Sequence, residues 1–342
     1  VTMKHSGPEP GLASDLKTGA AATGGTAWTG LLRRAATLAA GGVATVVVSS
    51  LVVFLALAQA PGDPVAQLLG DRATAAQRAA MSAQLGLDDP VLVRYWHWLT
   101  GVLHGDLGAS LTYRQDVTAL LTPRLGVSFM LTAMAALITL VAGVGLGTFG
   151  GVSGRWRPLV SGLTGVGIAI PGFVAAALLI SVFAAGLGWF PTYGAGSGFG
   201  DRIWHLTLPA VALSLGWSAY IAQMTAAAVK QEADKEHVTT AIGRGLPRFL
   251  VIRRHVLRNA FIPLLTVSGL VTAGLVAGSV VVETAFAIDG IGSLLVRSVS
   301  AKDYPVVNAV SLIIIVAFVA VTTVIDLVQT SLDPRLRDGA GA

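Results

Sequence analysis

Six long apolar runs limit what this chain can fold into. They cover roughly residues 35–59, 126–152, 158–187, 207–229, 261–285 and 306–330, each long enough to cross about 30 Å of hydrocarbon as a helix rising ~1.5 Å per residue. Hydrocarbon offers no hydrogen-bond partners, so each segment must satisfy its own backbone, and a helix does so. The expectation is an all-α, polytopic membrane protein with six transmembrane helices. Composition agrees: 54% of the 342 residues are hydrophobic and 12% are charged, about half the charged share of a soluble domain.

The first run ends in Ala58-Gln59-Ala60, which resembles a signal-peptidase site. Its uncharged core is much longer than the apolar stretch of ~7–15 residues in a signal peptide, so a retained span is expected. The third run holds Pro171-Gly172 near its middle. Proline removes a helix hydrogen bond, so a break facing other helices or a cavity is expected there, with an ordinary tolerated kink as the alternative. Gly143, Gly145, Gly147, Gly150 and Gly151 crowd the end of the second run. Close helix packing is the expectation, and room for a solute path the alternative.

Basic residues set the orientation. Of the 23 Lys and Arg, 15 fall on one side of the six runs: in the 1–34 tail, at 155–157, in 230–260 and at 335–337. That side is expected to be cytoplasmic, with both termini inside. The predicted layout is a disordered cytoplasmic tail over 1–32, a six-helix domain over 33–337, an external segment over 61–125, a cytoplasmic loop over 230–260 and a C-terminal tail over 338–342. Within the external segment, Val91-Leu92 and Tyr95-Trp96-His97-Trp98-Leu99 look amphipathic and aromatic, as residues at a membrane interface do. Contact with an external partner is the alternative.

The 230–260 loop carries seven basic and three acidic residues and is longer than a connection between two spans needs. Val238, Ala241 and Ile242 recur at helical spacing and give one apolar face. Gly245 stands where a helix ends, and Pro247 suits the start of the next helix. A short helical hairpin is expected, its second arm running through Arg253, Arg254 and Arg258 toward Pro263. An apolar face in the cytoplasm has no lipid to cover it, which points to a partner surface. A solvated basic loop is the alternative.

The same segment resembles a known family. Glu236-His237-Val238-Thr239-Thr240-Ala241-Ile242-Gly243-Arg244-Gly245-Leu246, followed by Arg254-His255-Val256-Leu257-Arg258-Asn259-Ala260-Phe261-Ile262-Pro263, is similar to the cytoplasmic "EAA" loop. That loop marks permease subunits of bacterial ATP-binding-cassette importers, here in the dipeptide, oligopeptide and nickel branch. Thr239-Thr240-Ala241 and Gly245 occupy the places of Glu-Ala-Ala and its glycine, and Arg258 stands where the general pattern has a later proline. Other matches follow in order: Pro61-Gly62-Asp63-Pro64, Leu85-Gly86-Leu87-Asp88-Asp89-Pro90, Gly105-Asp106-Leu107-Gly108, Glu283-Thr284-Ala285-Phe286, Gly290-Ile291-Gly292, Asp303-Tyr304-Pro305 and Leu332-Asp333-Pro334-Arg335-Leu336-Arg337.

The resemblance implies a type I importer permease fold in the bacterial cytoplasmic membrane. It implies a second, homologous permease, two cytoplasmic ATPases that bind ATP and Mg, and an external substrate-binding protein. The ATPases would dock on Glu236, Val238, Thr239, Thr240, Ala241, Ile242, Arg244, Gly245 and Leu246. Peptides or related small solutes would be the cargo.

Other chemistries find little support. No cysteine is present, which excludes disulfides, thiolate metal sites and Cys nucleophiles. No G-x-x-x-x-G-K-[ST] occurs, so nucleotide would bind elsewhere. The six histidines lack metal-ligand spacing, and no aromatic-studded basic groove suggests nucleic acid. Glu283 and Asp326 sit near span ends rather than mid-membrane, where ion-coupled transporters place ionisable groups. Gly151-Val152-Ser153-Gly154 resembles the serine motif of intramembrane proteases, but no histidine falls within a run to activate Ser153.

Overall fold

The computed structural model describes residues 23–60, 64–70, 73–84 and 86–332. Pro61-Gly62-Asp63, Leu85, Asp333–Arg337, the 338–342 tail and most of the expected 1–32 tail lie outside the described residues. Helix α1 (Thr23–Ala58) begins ten residues before that tail was expected to end. Three short helices follow: α2 (Pro64–Leu69), α3 (Ala75–Gln84) and α4 (Val91–Leu103). Helix α5 (Val117–Val152) contains the second apolar run and starts nine residues before it.

The third run is a broken element rather than a kinked helix. Helix α6 (Arg157–Ala169) stops at Ile170, and α7 (Gly172–Leu179) continues as a π-helical stretch over Ile180–Gly186. The two halves meet at 99°. Pro171 causes this: it has no N–H to extend α6, and its ring forces Ile170 into an extended backbone with ψ of 116°.

Helix α8 (Phe199–Ala233) carries the fourth run. The cytoplasmic-loop region forms α9 (Glu236–Gly243) and α10 (Arg248–Val251), then a π-helical stretch (Ile252–Val256) that passes into α11 (Leu257–Ala285). Helix α12 (Ile291–Ser300) is short, and α13 (Tyr304–Leu332) carries the last run. Four stretches among the described residues are long and apolar enough to span a membrane, in α1, α5, α11 and α13, and the bent α6–α7 pair is a fifth. Helix α8 is long enough but less apolar. It lies at the centre of the bundle, against α5, α6, α7 and α11, where neighbouring helices replace lipid and side chains such as Gln223 and Trp217 are tolerated.

Lipid tails are as apolar as leucine, so seams between spans depend on close packing rather than on escape from water. The α5–α8 seam shows this. A Cβ added at Gly147 would lie 2.5 Å from the Ala222 carbonyl oxygen, and one at Gly143 would lie 2.6 Å from Ile221. Gly145, between them, faces open space. The glycine crowd is therefore a packing stripe with one outlier. Around it, Leu131, Leu206, Ile221, Leu275, Phe286 and Ile288 form the buried core. Helices α1 and α13 pair with each other at the periphery.

Two buried carboxylates tie distant segments together. Glu283 on α11 accepts hydrogen bonds from Ser128 Oγ (2.7 Å) and the Ser293 N–H (3.0 Å), and Ser128 Oγ in turn accepts from the Ile291 N–H (2.9 Å). The first turn of α12 is thereby held by a carboxylate and a hydroxyl, which suits the positive end of a helix. Asp303 accepts from Ser110 Oγ (2.5 Å) and the Leu111 and Thr112 N–H groups (3.2 and 3.0 Å). It fixes the turn before α5 to the start of α13.

Candidate functional site

The 230–260 segment folds as the hairpin its sequence suggests. Lys235 is extended, and Glu236 opens α9 with an acidic residue in the first turn, favourable to the helix dipole. Gly245 ends the helix at φ +79°. Its N–H donates to the Ile242 carbonyl (2.9 Å) and the Leu246 N–H to that of Ala241 (3.3 Å), the paired closure that a left-handed residue makes possible. Pro247 stands immediately before α10, and its carbonyl accepts from the Leu250 and Val251 N–H groups (2.9 and 3.1 Å). From Arg248 the chain stays helical into α11, so the second arm of the hairpin is the foot of a span.

The apolar face expected of Val238, Ala241 and Ile242 is divided: two of the three are covered by the chain itself, and Ile242 stays exposed. Val238 and Ala241 are buried against Val229, Val251, Val256 and Ala260 of the same chain. The hairpin covers its own apolar stripe by closing onto the end of α8. What remains outside is a second set: Glu236, Thr239, Thr240, Ile242, Arg244, Gly245 and Leu246 are all exposed. Of the nine residues expected in the docking loop, seven thus lie on the surface and two serve the interior. Phe249, which the sequence reading passed over, is the most exposed apolar residue there at 73%. With Ile242, Leu246, Arg244 and Arg248 it forms an apolar and basic outer surface. Its sign in the sequence is that an aromatic residue falls off the buried face of a one-turn helix.

The hairpin is held at its root by Glu232, also not singled out from sequence. This residue is 6% exposed and lies beyond the apolar stretch of α8. It meets Lys235 Nζ at 2.5 Å, accepts from Asn259 Nδ2 at 2.8 Å and lies 3.4 Å from His237 Nε2. One carboxylate therefore joins the end of α8, the start of α9 and the foot of α11. Burial alone would push its pKa up. Hydrogen bonds from Lys235 and Asn259, and the charges of Lys235 and His237, outweigh burial and hold the group below the usual carboxylate range.

Inside the bundle, the break at Pro171 opens a cavity of about 430 Å³. Ile168, Ile170 and Phe173 of the broken span face Trp217 and Tyr220 of α8 and Val281 of α11 across it. Among the described residues no group of three or more His, Asp or Glu side chains is placed to hold a metal ion.

Comparison with known proteins gives a consistent result. Residues 140–338 match the family model described as binding-protein-dependent transport system inner membrane component, and residues 30–141 match the model for the N-terminal part of such membrane components. The chain is 34% identical over 307 residues to the probable peptide ABC transporter permease protein y4tP of Sinorhizobium fredii, covering 86% of this chain and 97% of that protein. It is 34% identical over 297 residues to the glutathione transport system permease protein GsiC of Salmonella choleraesuis, covering 86% and 95%. A putative peptide transport system permease protein of Brucella abortus is 34% identical over 300 residues, covering 86% and 96%. Among solved structures, an inward-facing MetNI methionine ABC transporter chain superposes with a TM-score of 0.53 at 16% identity, covering 63% of this chain and 97% of that one. At that identity the likeness concerns the fold alone.

Proposed function

The chain belongs to the family of binding-protein-dependent transport system inner membrane components, and from that premise we propose how it works as the membrane-spanning permease of a peptide-type ABC importer. It forms half of a translocation pathway for di- or oligopeptides or related small solutes, and a second homologous permease forms the other half. Two ATPase subunits bind ATP and Mg, and a substrate-binding protein delivers cargo from outside. All six apolar runs cross the membrane, α8 included, its lower hydropathy offset by its central position. The side with the basic excess is cytoplasmic, and the segments before α1 and after α13 share it.

The observation that carries this reading is the hairpin's outer surface on the foot of a span. Ile242, Leu246 and Phe249 are exposed beyond the apolar stretch of α8, among Arg244 and Arg248. An apolar, basic knob of this kind fits a groove on a partner, and the ATPase is the partner we assign to it. Glu236, Thr239, Thr240, Arg244 and Gly245 make the rest of the contact, while Val238 and Ala241 shape it from within. Because the knob continues into α11, movement of the ATPases reaches the cavity at the Pro171 break, which we place on the pathway.

The absence of cysteine from the sequence makes a direct test simple. Phe249→Cys and Ile242→Cys should each cross-link to an ATPase subunit and react with membrane-impermeant maleimide only from the cytoplasmic side. Labelling from outside, or a chain that purifies free of ATPases and transports alone, would overturn the reading.

A further inference from the structure

Helix α4 divides its surface into three sectors. At about 100° per residue, Leu92, Trp96 and Leu103 fall within about 40° of one another. All three are more than 60% exposed. Arg94, the one charged residue of α4, lies roughly opposite them, with the exposed His97 on the same polar side. Tyr95 marks the third sector, about 80° from the centre of the bared one, and is 6% exposed.

Tyr95 also sets the depth of the helix. Its hydroxyl donates to the Val47 carbonyl of α1 (3.1 Å) and shares a hydrogen bond with Ser50 (2.9 Å). The rings of Tyr95 and Trp98 meet Phe54 at 5.5 and 5.8 Å. These partners belong to the apolar span Ala35–Ala58. Phe54 and Ser50 lie about 6 and 12 Å inside its end at ~1.5 Å per residue. Amphipathic helices of the membrane interface bury their apolar face ~5–10 Å into the boundary, and these contacts put α4 at that level. A charge turned toward hydrocarbon is costly there, so the apolar sector faces the acyl chains and the Arg94 sector faces the water.

The helix lies at the membrane face away from the hairpin. Asp303, beyond the far end of α11, holds Ser110 and Thr112 in the segment that follows α4. A second permease is not placed to cover the bared sector. The pathway assigned above runs at the Pro171 break, between α6, α7, α8 and α11, whereas α4 rests on α1, which packs against α13 at the periphery. Helix α1 itself bares Val43, Val48 and Val52, each at least 60% exposed, as a lipid-facing span does. The choice of lipid over a second permease rests on that assigned pathway; the depth of α4 does not.

We propose that α4 is a monotopic helix seated in the leaflet away from the hairpin, with Leu92, Trp96 and Leu103 among the acyl chains and Arg94 and His97 at the headgroups. Its polar side carries a single Arg and no Lys, so apolar burial rather than attraction to anionic lipid holds it there. Helix α1 touches the bundle chiefly through α13, and α4 gives its end a second brace, tied to the membrane interface.

The chain has no cysteine, so nitroxide labels on Leu92→Cys, Trp96→Cys and Leu103→Cys read their surroundings directly. The full chain, with the subunits that co-purify, is placed in nanodiscs. Val48→Cys on α1 serves as the lipid reference, and Gln115→Cys, in the exposed turn before α5, as the aqueous one. Accessibility to oxygen relative to a water-soluble nickel chelate should be about fivefold or more higher at the three α4 sites than at Gln115→Cys, as for a face at interfacial depth. His97→Cys should fall between them. Size-exclusion chromatography checks that each variant elutes as wild type, and the readout needs no transport, so it stands apart from the importer reading. Chelate accessibility at the three sites equal to that at Gln115→Cys would overturn the proposal by placing the face in water. Shielding of all three from both probes would overturn it by placing a protein there.

Discussion

Replacing Gly245 by valine separates the geometry of the hairpin from its chemistry. No atom lies within 4 Å of a Cβ added there, so the substitution creates no clash. The cost is conformational. At φ +79° an L-residue loses about 1–2 kcal/mol, and the branched Cβ of valine puts it at the upper end. A change of ~2 kcal/mol shifts the balance between closed and opened turn by about 30-fold. Opening releases the hydrogen bonds of the Gly245 and Leu246 N–H groups and frees Ile242, Leu246 and Phe249 from their fixed arrangement. The bundle should persist, because Val238, Ala241 and Glu232 still anchor α9. In proteoliposomes with the complete importer, transport per ATP hydrolysed should fall about 5- to 30-fold, with assembly unchanged. Gly245→Ala should give an intermediate loss, and Gly145→Ala, in open space on α5, none. Wild-type stoichiometry in Gly245→Val would refute both the strain argument and the role of the hairpin in coupling.

Other outcomes follow from other parts of the structure. Gly147→Val should split the α5–α8 seam, lowering thermal stability by about 1–3 kcal/mol or more, whereas Gly145→Val should melt as wild type. The pKa of Glu232 is depressed in the folded state, so its contribution is fully present above the ordinary value of 4.5 and is lost as pH falls through the lowered value. Hydrogen-exchange protection over 236–260, taken relative to the intrinsic rate at each pH, should therefore fall on acidification, and Glu232→Gln should show weak protection already at pH 7 with little further change. Glu283→Ala leaves the Ser293 N–H without its buried acceptor, at about 1–3 kcal/mol, and should appear as early melting and a loosened α12.

The sequence revealed much of the fold because hydropathy over twenty or so residues is a strong signal. It placed the runs, the hairpin turn at Gly245 and the break at Pro171. Helix α8 shows where that signal weakens: a central helix need not be as apolar as a lipid-facing one. At the candidate site the period of Val238 and Ala241 was legible, but not what covers them. Periodicity reports that a face is buried and is silent on whether the cover is a partner or the chain itself. Glu232 was invisible as a junction because Asn259 is 27 residues away, and within the 230–260 loop it counted only as charge. The ordered short motifs gained a physical meaning only in three dimensions. Glu283 meets the Gly290-Ile291-Gly292 turn, where a side chain at Gly290 would strike it, and Asp303 holds the segment just after Gly105-Asp106-Leu107-Gly108.

The unbroken passage from hairpin to α11 has a mechanical consequence. A rod of 29 residues is about 43 Å long, so a tilt of ~5° at its foot swings its far tip by about 4 Å. That tip bears Glu283, which grips the first turn of α12. On the proposed function, a small push at the hairpin would thus be carried along α11 and delivered, through one carboxylate, to α12.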